Sequence, residues 1–267
     1  AQEIINNKTL LKNFKNLKSG SKISLDKLTD VNLSDYWKLV FDNEKTNNDL
    51  KIMEEQYNKV KQDIKERFDK EILINTYWQS KTILLIKRSK KYFPIIEEIL
   101  KENNIPDDFK YLALAESGLE NVTSPSGAKG FWQILNKTGQ ELDLEINEQI
   151  DERYHLEKST LAACKYLNKA YVLFGNWTLS AAAYNRGMSG LKKAIKTQKT
   201  NNYYDLMLND ETYRYVFRIL ALKEIIENYE NYGFIINNNN LYSNIETYDL
   251  KVDTSINNLI DFSIDRG

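Results

Sequence analysis

The sequence predicts a mainly α-helical protein. Its 267 residues include only three prolines and ten glycines, the residue types that are least favourable inside a helix. Leu, Ile, Lys, Glu and Asn are abundant, and many segments repeat apolar residues three and four positions apart, which is the spacing of a helix that packs on a core. A chain of this length can bury a large core, so we expect one main domain with appendages.

The first zone, residues 1–91, is predicted to be a helical N-terminal appendage with polar, Asn-rich and charged segments. Within it, apolar residues follow a three-four spacing at seven positions: Leu50, Met53, Tyr57, Val60, Ile64, Phe68 and Ile72. This spacing is that of a coiled-coil seam. So short a run nevertheless favours a helix that packs along the main domain.

The second zone, residues 92–234, is predicted to be the main domain. Helical spacing and end signals place helices at roughly 94–103, 107–117, 157–174, 177–185, 188–196 and 211–228. Turn-forming residues around 120–135 predict a small loop or β-hairpin. The last helix is broadly apolar through Val216, Phe217, Leu220 and Ala221, so we expect it inside the core.

The third zone, residues 235–267, is predicted to be a C-terminal tail. It opens with the low-complexity segment Ile235-Ile-Asn-Asn-Asn-Asn240. The segment from Ile245 to Asp253 alternates enough to predict a short strand.

Glu116 is the first candidate for chemistry. It lies near the end of a predicted helix that begins at Pro106 and ends at Gly118. Phe109 and Leu112 recur with it at helical spacing, so the carboxyl shares a face with apolar residues. Burial there would raise the pKa of the carboxyl, which makes a general acid able to act near neutral pH. On this helix alone, a Glu that turns outward to water is an equally good interpretation.

Two later segments add candidate binding residues. The run Ser124-Pro-Ser-Gly-Ala-Lys-Gly-Phe-Trp-Gln133 predicts a tight loop, in which Trp132 and Gln133 could offer stacking and hydrogen bonds to a polymer. The alternative is an ordinary turn with a buried Trp. The run Ala181-Ala-Ala-Tyr-Asn-Arg-Gly187 places Tyr184 and Asn185 at a helix end, where the alternative is a C-cap with Tyr184 in the core.

These three segments, in this order, resemble the lytic murein transglycosylases with a goose-type-lysozyme-like fold. The nearest branch is the membrane-bound murein transglycosylase D type. The resemblance extends through Asp151-Glu-Arg153, 159–167, Phe174-Gly-Asn-Trp177 and Glu211-Thr-Tyr-Arg-Tyr-Val216, and covers roughly residues 92–234. It implies a lysozyme-like helical catalytic domain over 92–234.

The resemblance also implies a mechanism with one carboxyl group. The Glu that matches Glu116 protonates the glycosidic oxygen between N-acetylmuramic acid and N-acetylglucosamine, and the substrate's own N-acetyl group stabilises the developing cation. The same Glu then removes a proton from the C6 hydroxyl, which closes on C1 and gives a 1,6-anhydro end without consuming water. One carboxylate thus does work that other glycosidases divide between two.

Further site residues are implied by the same resemblance. Ser117 would orient the acid or the sugar, Gln133 would line the cleft, and Tyr184 with Asn185 would contact the reacting sugar. Secondary roles are expected for Glu211, which we also interpret as a first-turn residue that is favourable to the helix dipole, and for Trp132. The chain has Arg186 where relatives often carry a smaller or apolar residue, so contacts at that position are open.

Two alternatives from other function classes remain. A hydrolysing muramidase would need a second carboxylate, but Glu120 lies beyond a probable helix break, and Asp151 and Glu152 have the positions of capping and first-turn charges beside Arg153. A non-catalytic peptidoglycan-binding scaffold would not need the acid at Glu116.

Composition excludes several other classes. A net charge of −1 argues against nucleic acid as a partner. His155 is the only histidine and Cys164 the only cysteine, so we expect no His-based catalytic set, no internal disulfide, no metal and no cofactor. His155 neighbours a helix start and is expected at the surface, whereas Cys164 is expected to be a small buried hydrophobe.

The expected partner is the peptidoglycan glycan strand, with cell-envelope or outer-membrane association. The longest apolar runs are too short to span a bilayer. The function implies a periplasmic or cell-envelope location, with a leader removed before Ala1. In the resembled branch, the region after residue 234 leads toward carbohydrate-binding repeats, so a cell-wall-binding module beyond Gly267 is a further expectation. The oligomeric state is left open.

Overall fold

The computed structural model describes residues 47–243 and 250–266, and of these residues 47–61 and Asn238 are described by their backbone alone. Its helices are α1 (Asn47–Tyr77), α2 (Gln79–Glu102), α3 (Lys110–Ser117), α4 (Asn136–Glu141), α5 (Leu156–Phe174), α6 (Trp177–Arg186), α7 (Met188–Gln198), α8 (Asp210–Glu227) and α9 (Leu259–Ile264). Short 3₁₀ turns lie at Asp107–Phe109, Glu152–Tyr154, Tyr203–Asp205, Tyr229–Tyr232 and Asn238–Asn240. The predicted mainly helical fold is confirmed.

Helix α8 lies at the centre of the main domain. It contacts α1, α3 and α6, and its buried side chains include Tyr215, Phe217 and Leu222. The predicted internal position of this helix is therefore confirmed. Helix α5 packs against α2 and α6 on the other side, so the core is shared among five helices.

Helix α1 packs along α8, as the interpretation of the three-four spacing favoured. Ile64, Phe68 and Ile72 are partly buried against the hydrophobic core. The side chains of the other four seam positions, Leu50, Met53, Tyr57 and Val60, lie outside the described part of the chain. The described half of the seam is thus used within the molecule.

Helix α2 is longer than predicted, because it begins at Gln79 and contains Pro94 in its interior. A proline removes one helical hydrogen bond and normally favours a break. Here the helix buries Leu85, Ile86 and Phe93 on one side of the proline and Ile96 and Leu100 on the other, so packing maintains it. The predicted zone boundary at 91/92 stays a prediction, and no interruption of the helix marks it.

The loop at 120–135 contains isolated antiparallel bridges from Lys129 to Thr123 and Ile134, in agreement with the predicted small loop or hairpin. Arg153, which is 3% exposed, fixes this loop by donating to the carbonyls of Gly127 (3.2 Å) and Ile134 (3.3 Å).

Asp151 holds the guanidinium of Arg153, with 2.7 Å between Oδ2 and Nη2. This pairing lowers the pKa of Asp151 to about 2. Asp151 also caps the turn Glu152–Tyr154, and hydrogen bonding to Lys158 lowers the pKa of Glu152. The capping and first-turn positions predicted for the two acids are confirmed.

Two short helices were not predicted. Helix α4 has only six residues, with no apolar period to indicate it, and buries Gly139. In the tail, Asn258 caps α9 by accepting hydrogen bonds from Ile260 and Asp261. The strand predicted from Ile245 to Asp253 lies outside the described residues up to 249, and its described part, 250–253, is not a strand.

His155 is exposed and Cys164 is fully buried, as predicted. Burial raises the pKa of the Cys164 thiol to about 12, which makes it unreactive. Over the described ranges, no helix has the length and apolar character needed to cross a bilayer. In the same ranges, no group of three or more His, Cys, Asp or Glu residues is arranged to hold a metal ion.

Candidate active site

A cleft of about 660 Å³ opens between the C-terminal end of α3, one side of α8 and the adjoining ends of α1 and α2. Glu116, Ser117 and Gly118 line it from α3, and Leu222 lines it from α8. Its charged lining residues are Glu71, Lys81, Arg88, Glu116, Glu120, Arg214 and Arg218. A concave site with charged groups that converge on one carboxyl is the expected form of a catalytic cleft.

Glu116 is placed in the last turn of α3, which ends because Gly118 adopts a left-handed conformation with φ of 64°. The apolar face of this short helix, including Leu112 and Ala113, is fully buried. The Glu116 carboxyl accepts a hydrogen bond from the hydroxyl of Tyr215 on α8. The inward orientation is therefore found, and the alternative of a Glu turned to water is not.

Burial raises the pKa of the Glu116 carboxyl to about 7, because the charged form loses hydration. The hydrogen bond from Tyr215 and the positive charge of Arg218 both lower this pKa, whereas the negative charge of Glu211 raises it. The burial effect is the largest of the four. Near neutral pH, the group can therefore both donate and accept a proton.

Ser117 connects α3 to the 124–133 loop. Its hydroxyl donates to the carbonyl of Phe131 at 2.7 Å and accepts from the backbone N–H of Leu119 at 3.1 Å. These bonds fix the loop beside the end of the helix that carries Glu116.

Trp132 and Tyr184 form the floor beneath the acid. The indole of Trp132 is 0% exposed and donates to Thr160 at 2.8 Å, so it is not available to stack on a sugar. The stacking role considered for Trp132 is wrong, and the alternative of a buried Trp in a turn is found. Tyr184 donates to the carbonyl of Trp132 at 2.8 Å, and burial together with the charge of Glu116 raises the pKa of its hydroxyl.

Asn185 and Glu211 are brought together. The Asn185 amide donates to Glu211 at 3.0 Å and accepts from the hydroxyl of Thr212 at 2.7 Å. Glu211 is exposed in the first turn of α8, where a negative charge is favourable to the helix dipole. The first-turn position predicted for Glu211 is confirmed, and its effect on the pKa of Glu116 places it near the acid.

Gln133 has a left-handed backbone with φ of 47°. Its side-chain amide donates to the carbonyls of Gly130 at 2.9 Å and Val122 at 3.0 Å. The structure places Gln133, Tyr184 and Asn185 outside the lining of the cleft, although Tyr184 and Asn185 adjoin groups that act on Glu116.

Tyr215 is a site residue that sequence reasoning missed. It is 1% exposed, and burial and the charge of Glu116 raise the pKa of its hydroxyl, so it stays a hydrogen-bond donor. A tyrosine among the apolar residues of a buried helix was indicated only by the resemblance at 211–216.

The other acid weighed near Glu116 has a different partner. Glu120 forms an ion pair with Arg88, which also donates to the carbonyl of Gly118 at 3.2 Å. Glu120 lines the cleft, but its charge is neutralised by the guanidinium.

The raised pKa of Glu116 predicts a pH-dependent stability difference for the variant Glu116→Gln. A carboxyl whose pKa is higher in the folded state stabilises the protein below its unfolded pKa, and this contribution is lost as the pH rises to 7. Gln cannot ionise, so we expect its advantage in free energy of unfolding to grow by about 1–2 kcal/mol between pH 5 and pH 8.

Urea denaturation at the two pH values measures this difference. Glu66→Gln is the matched control, because Glu66 is exposed and accepts a hydrogen bond from Gln62 on the same helix. An advantage of Glu116→Gln that is equal at both pH values would contradict the assigned pKa.

Comparisons with known proteins agree with the resemblance. Residues 93–207 match the family model described as "Transglycosylase SLT domain". Two curated relatives, each called "Membrane-bound lytic murein transglycosylase D", come from Escherichia coli K12 and Escherichia coli O6:H1. Each is 33% identical over 176 residues, which is 64% of this chain and 38% of the relative.

The chain therefore spans 38% of the length of these curated relatives. The matched family region contains Glu116, the loop that ends at Gln133, and the pair Tyr184 and Asn185. Helix α1 and helix α8 lie outside it. The domain formed by residues 93–207 belongs to the transglycosylase SLT family.

Proposed function

We propose that the protein is a lytic transglycosylase that cleaves the β-1,4 bond between N-acetylmuramic acid and N-acetylglucosamine in peptidoglycan. Glu116 is its single general acid and base. The observation that carries this proposal is the state of the carboxyl groups in the cleft. Glu116 has a pKa of about 7, whereas Glu71 and Glu120 are each paired with an arginine.

In the first step, the protonated Glu116 donates its proton to the glycosidic oxygen, and the bond from this oxygen to C1 breaks. The substrate's N-acetyl group stabilises the positive charge that develops at C1. Glu116 is left as a carboxylate, which the hydroxyl of Tyr215 stabilises by its hydrogen bond.

In the second step, the Glu116 carboxylate removes the proton of the C6 hydroxyl, and the oxygen closes on C1. The product is a 1,6-anhydromuramic acid end, and the enzyme regains its proton. No water is consumed, so no second carboxylate is required to position one.

For substrate contacts we propose Gln133 and Asn185, whose amides lie on either side of Tyr184 and Trp132. Ser117 and Tyr184 support the site through their bonds to the carbonyls of Phe131 and Trp132. Glu211 contributes by its charge, which favours the protonated form of Glu116.

We place the protein in the cell envelope, in contact with peptidoglycan. The named relatives are membrane-bound murein transglycosylases, and a murein substrate lies outside the cytoplasm. A periplasmic location is part of the proposal.

Mass spectrometry of the products from purified peptidoglycan tests the reaction. We expect muropeptides that are lighter than the hydrolysis products by one water and end in 1,6-anhydromuramic acid. Reducing ends that take up ¹⁸O from labelled water would show a muramidase and refute the proposal. Binding to peptidoglycan without any release would support a scaffold instead.

A further inference from the structure

Glu71 on α1 is a buried acid that the reaction described above does not use. It is 1% exposed, and a carboxylate at such a site requires charged or hydrogen-bonding partners. Its Oε1 lies 2.6 Å from Nε of Arg214, and its Oε2 lies 4.0 Å from Nε of Arg218. Both arginines belong to α8, one helical turn apart, so they face the same side.

Arg218 is placed between two carboxylates. Glu71, Glu116 and Arg218 all line the same cleft, and the positive charge of Arg218 acts on Glu116 by lowering the pKa of its carboxyl. Glu71 is the acid within 4.0 Å of Arg218 among the described ion pairs. The position of one guanidinium therefore depends on one acid and influences another.

We propose that Glu71 is a positioning residue for the reaction at Glu116: its carboxylate holds Arg218 back and leaves the catalytic carboxyl free to carry a proton. This inference rests on the proposed function of Glu116. It also makes α1, which lies outside the matched family region 93–207, a working part of the active site.

The neighbouring groups indicate what happens when Glu71 loses its charge. Arg214 keeps Asp210 as a partner at 3.5 Å, and Arg88 keeps Glu120. Arg218 then has Glu116 as the next anion in the cleft. The charged and titratable groups that face this pair are Lys81 and Arg88 on α2, Glu120 after α3, Tyr184 on α6, and Glu211, Arg214 and Tyr215 on α8.

The effect of Glu71→Gln on the pKa of Glu116 has a definite sign. Removal of a negative charge and the approach of Arg218 both favour the carboxylate, so the pKa falls. A general acid must be protonated in the free enzyme, so kcat/KM declines above its pKa. We expect the alkaline limb of the pH profile to move down by about one pH unit, with a lower rate at pH 7.

The test is the pH profile of muropeptide release from purified peptidoglycan for four proteins beside the wild type: Glu71→Gln, Arg218→Gln, the double variant and Glu66→Gln. Arg218→Gln is expected to move the alkaline limb upward, and the double variant is expected to match it. Glu66→Gln, the same change at an exposed site of α1, is expected to leave the profile unchanged.

Two results would overturn the proposal. One is a Glu71→Gln variant with reduced activity but an unmoved alkaline limb, which would show a purely structural role. The other is a double variant whose limb lies below that of Arg218→Gln by the full shift of the single change, which would show that Glu71 does not act through Arg218.

A second measurement is independent of turnover. Titration of the Glu116 side-chain carboxyl by ¹³C NMR, assigned with Glu116→Gln, reports the same pKa shifts in the folded proteins. If Glu71→Gln does not fold, the upward shift in Arg218→Gln still tests the link, because an unmoved pKa there would refute it. If the wild type releases no product but the titrations shift as expected, the proposed function has failed and the positioning role has not.

Discussion

Replacement of Glu116 by Gln is expected to lower the rate of muropeptide release about 10²–10⁴-fold, the contribution of a positioned general acid and base. Gln has nearly the same shape and can still accept the hydrogen bond from Tyr215, but it has no proton to give to the glycosidic oxygen. The initial rate of release from purified peptidoglycan at pH 7 measures the effect. Binding of the variant to insoluble peptidoglycan should persist, since the cleft retains its walls.

Glu120→Gln is the matched control for this loss. Glu120 lines the same cleft and lies four residues along the chain, but its carboxylate is paired with Arg88 rather than held by Tyr215. We expect its rate to stay within about threefold of the wild type, since a partly exposed ion pair contributes less than about 1 kcal/mol. If Glu116→Gln releases product at the parent rate, Glu116 is not the acid.

The position of Glu116 could be predicted because its signals are local. A glycine that ends a helix and apolar residues at helical spacing both lie within ten residues of the acid. The contacts that tune the acid are not local. Tyr215 is 99 residues away along the chain, and Glu71 lies 143 residues from its partner Arg214. No periodicity in one segment indicates which side chain of another segment it will meet.

The misinterpretation of Trp132 has a related cause. A Trp after two glycines in a turn has the same sequence pattern whether its ring faces a ligand or the core. The ring is buried here because Thr160 on α5 offers an acceptor for the indole N–H, which a buried Trp requires. The extent of α2 was missed for the opposite reason, since Pro94 is a strong local signal that packing overrides.

Gly130→Ala is expected to be the most damaging single change in the loop that supports the site. Gly130 has φ of 78°, and a Cβ there would lie 1.9 Å from the backbone oxygen of Arg153 and 2.7 Å from its carbonyl carbon. The left-handed conformation costs about 1–2 kcal/mol for a residue with a Cβ, and overpacking adds about 1–3 kcal/mol. We therefore expect the free energy of unfolding, measured in urea, to fall by about 2–5 kcal/mol.

Gly127→Ala separates the two contributions within the same loop. Gly127 has φ of 82°, but nothing lies within 4 Å of the Cβ it would gain, so we expect only the conformational cost of about 1–2 kcal/mol. Equal losses at the two glycines would contradict the close approach of Arg153 to Gly130. Because Gly130 precedes Phe131 and Trp132, whose carbonyls accept from Ser117 and Tyr184, its displacement should also reduce muropeptide release, whereas Gly127→Ala should leave release nearly unchanged.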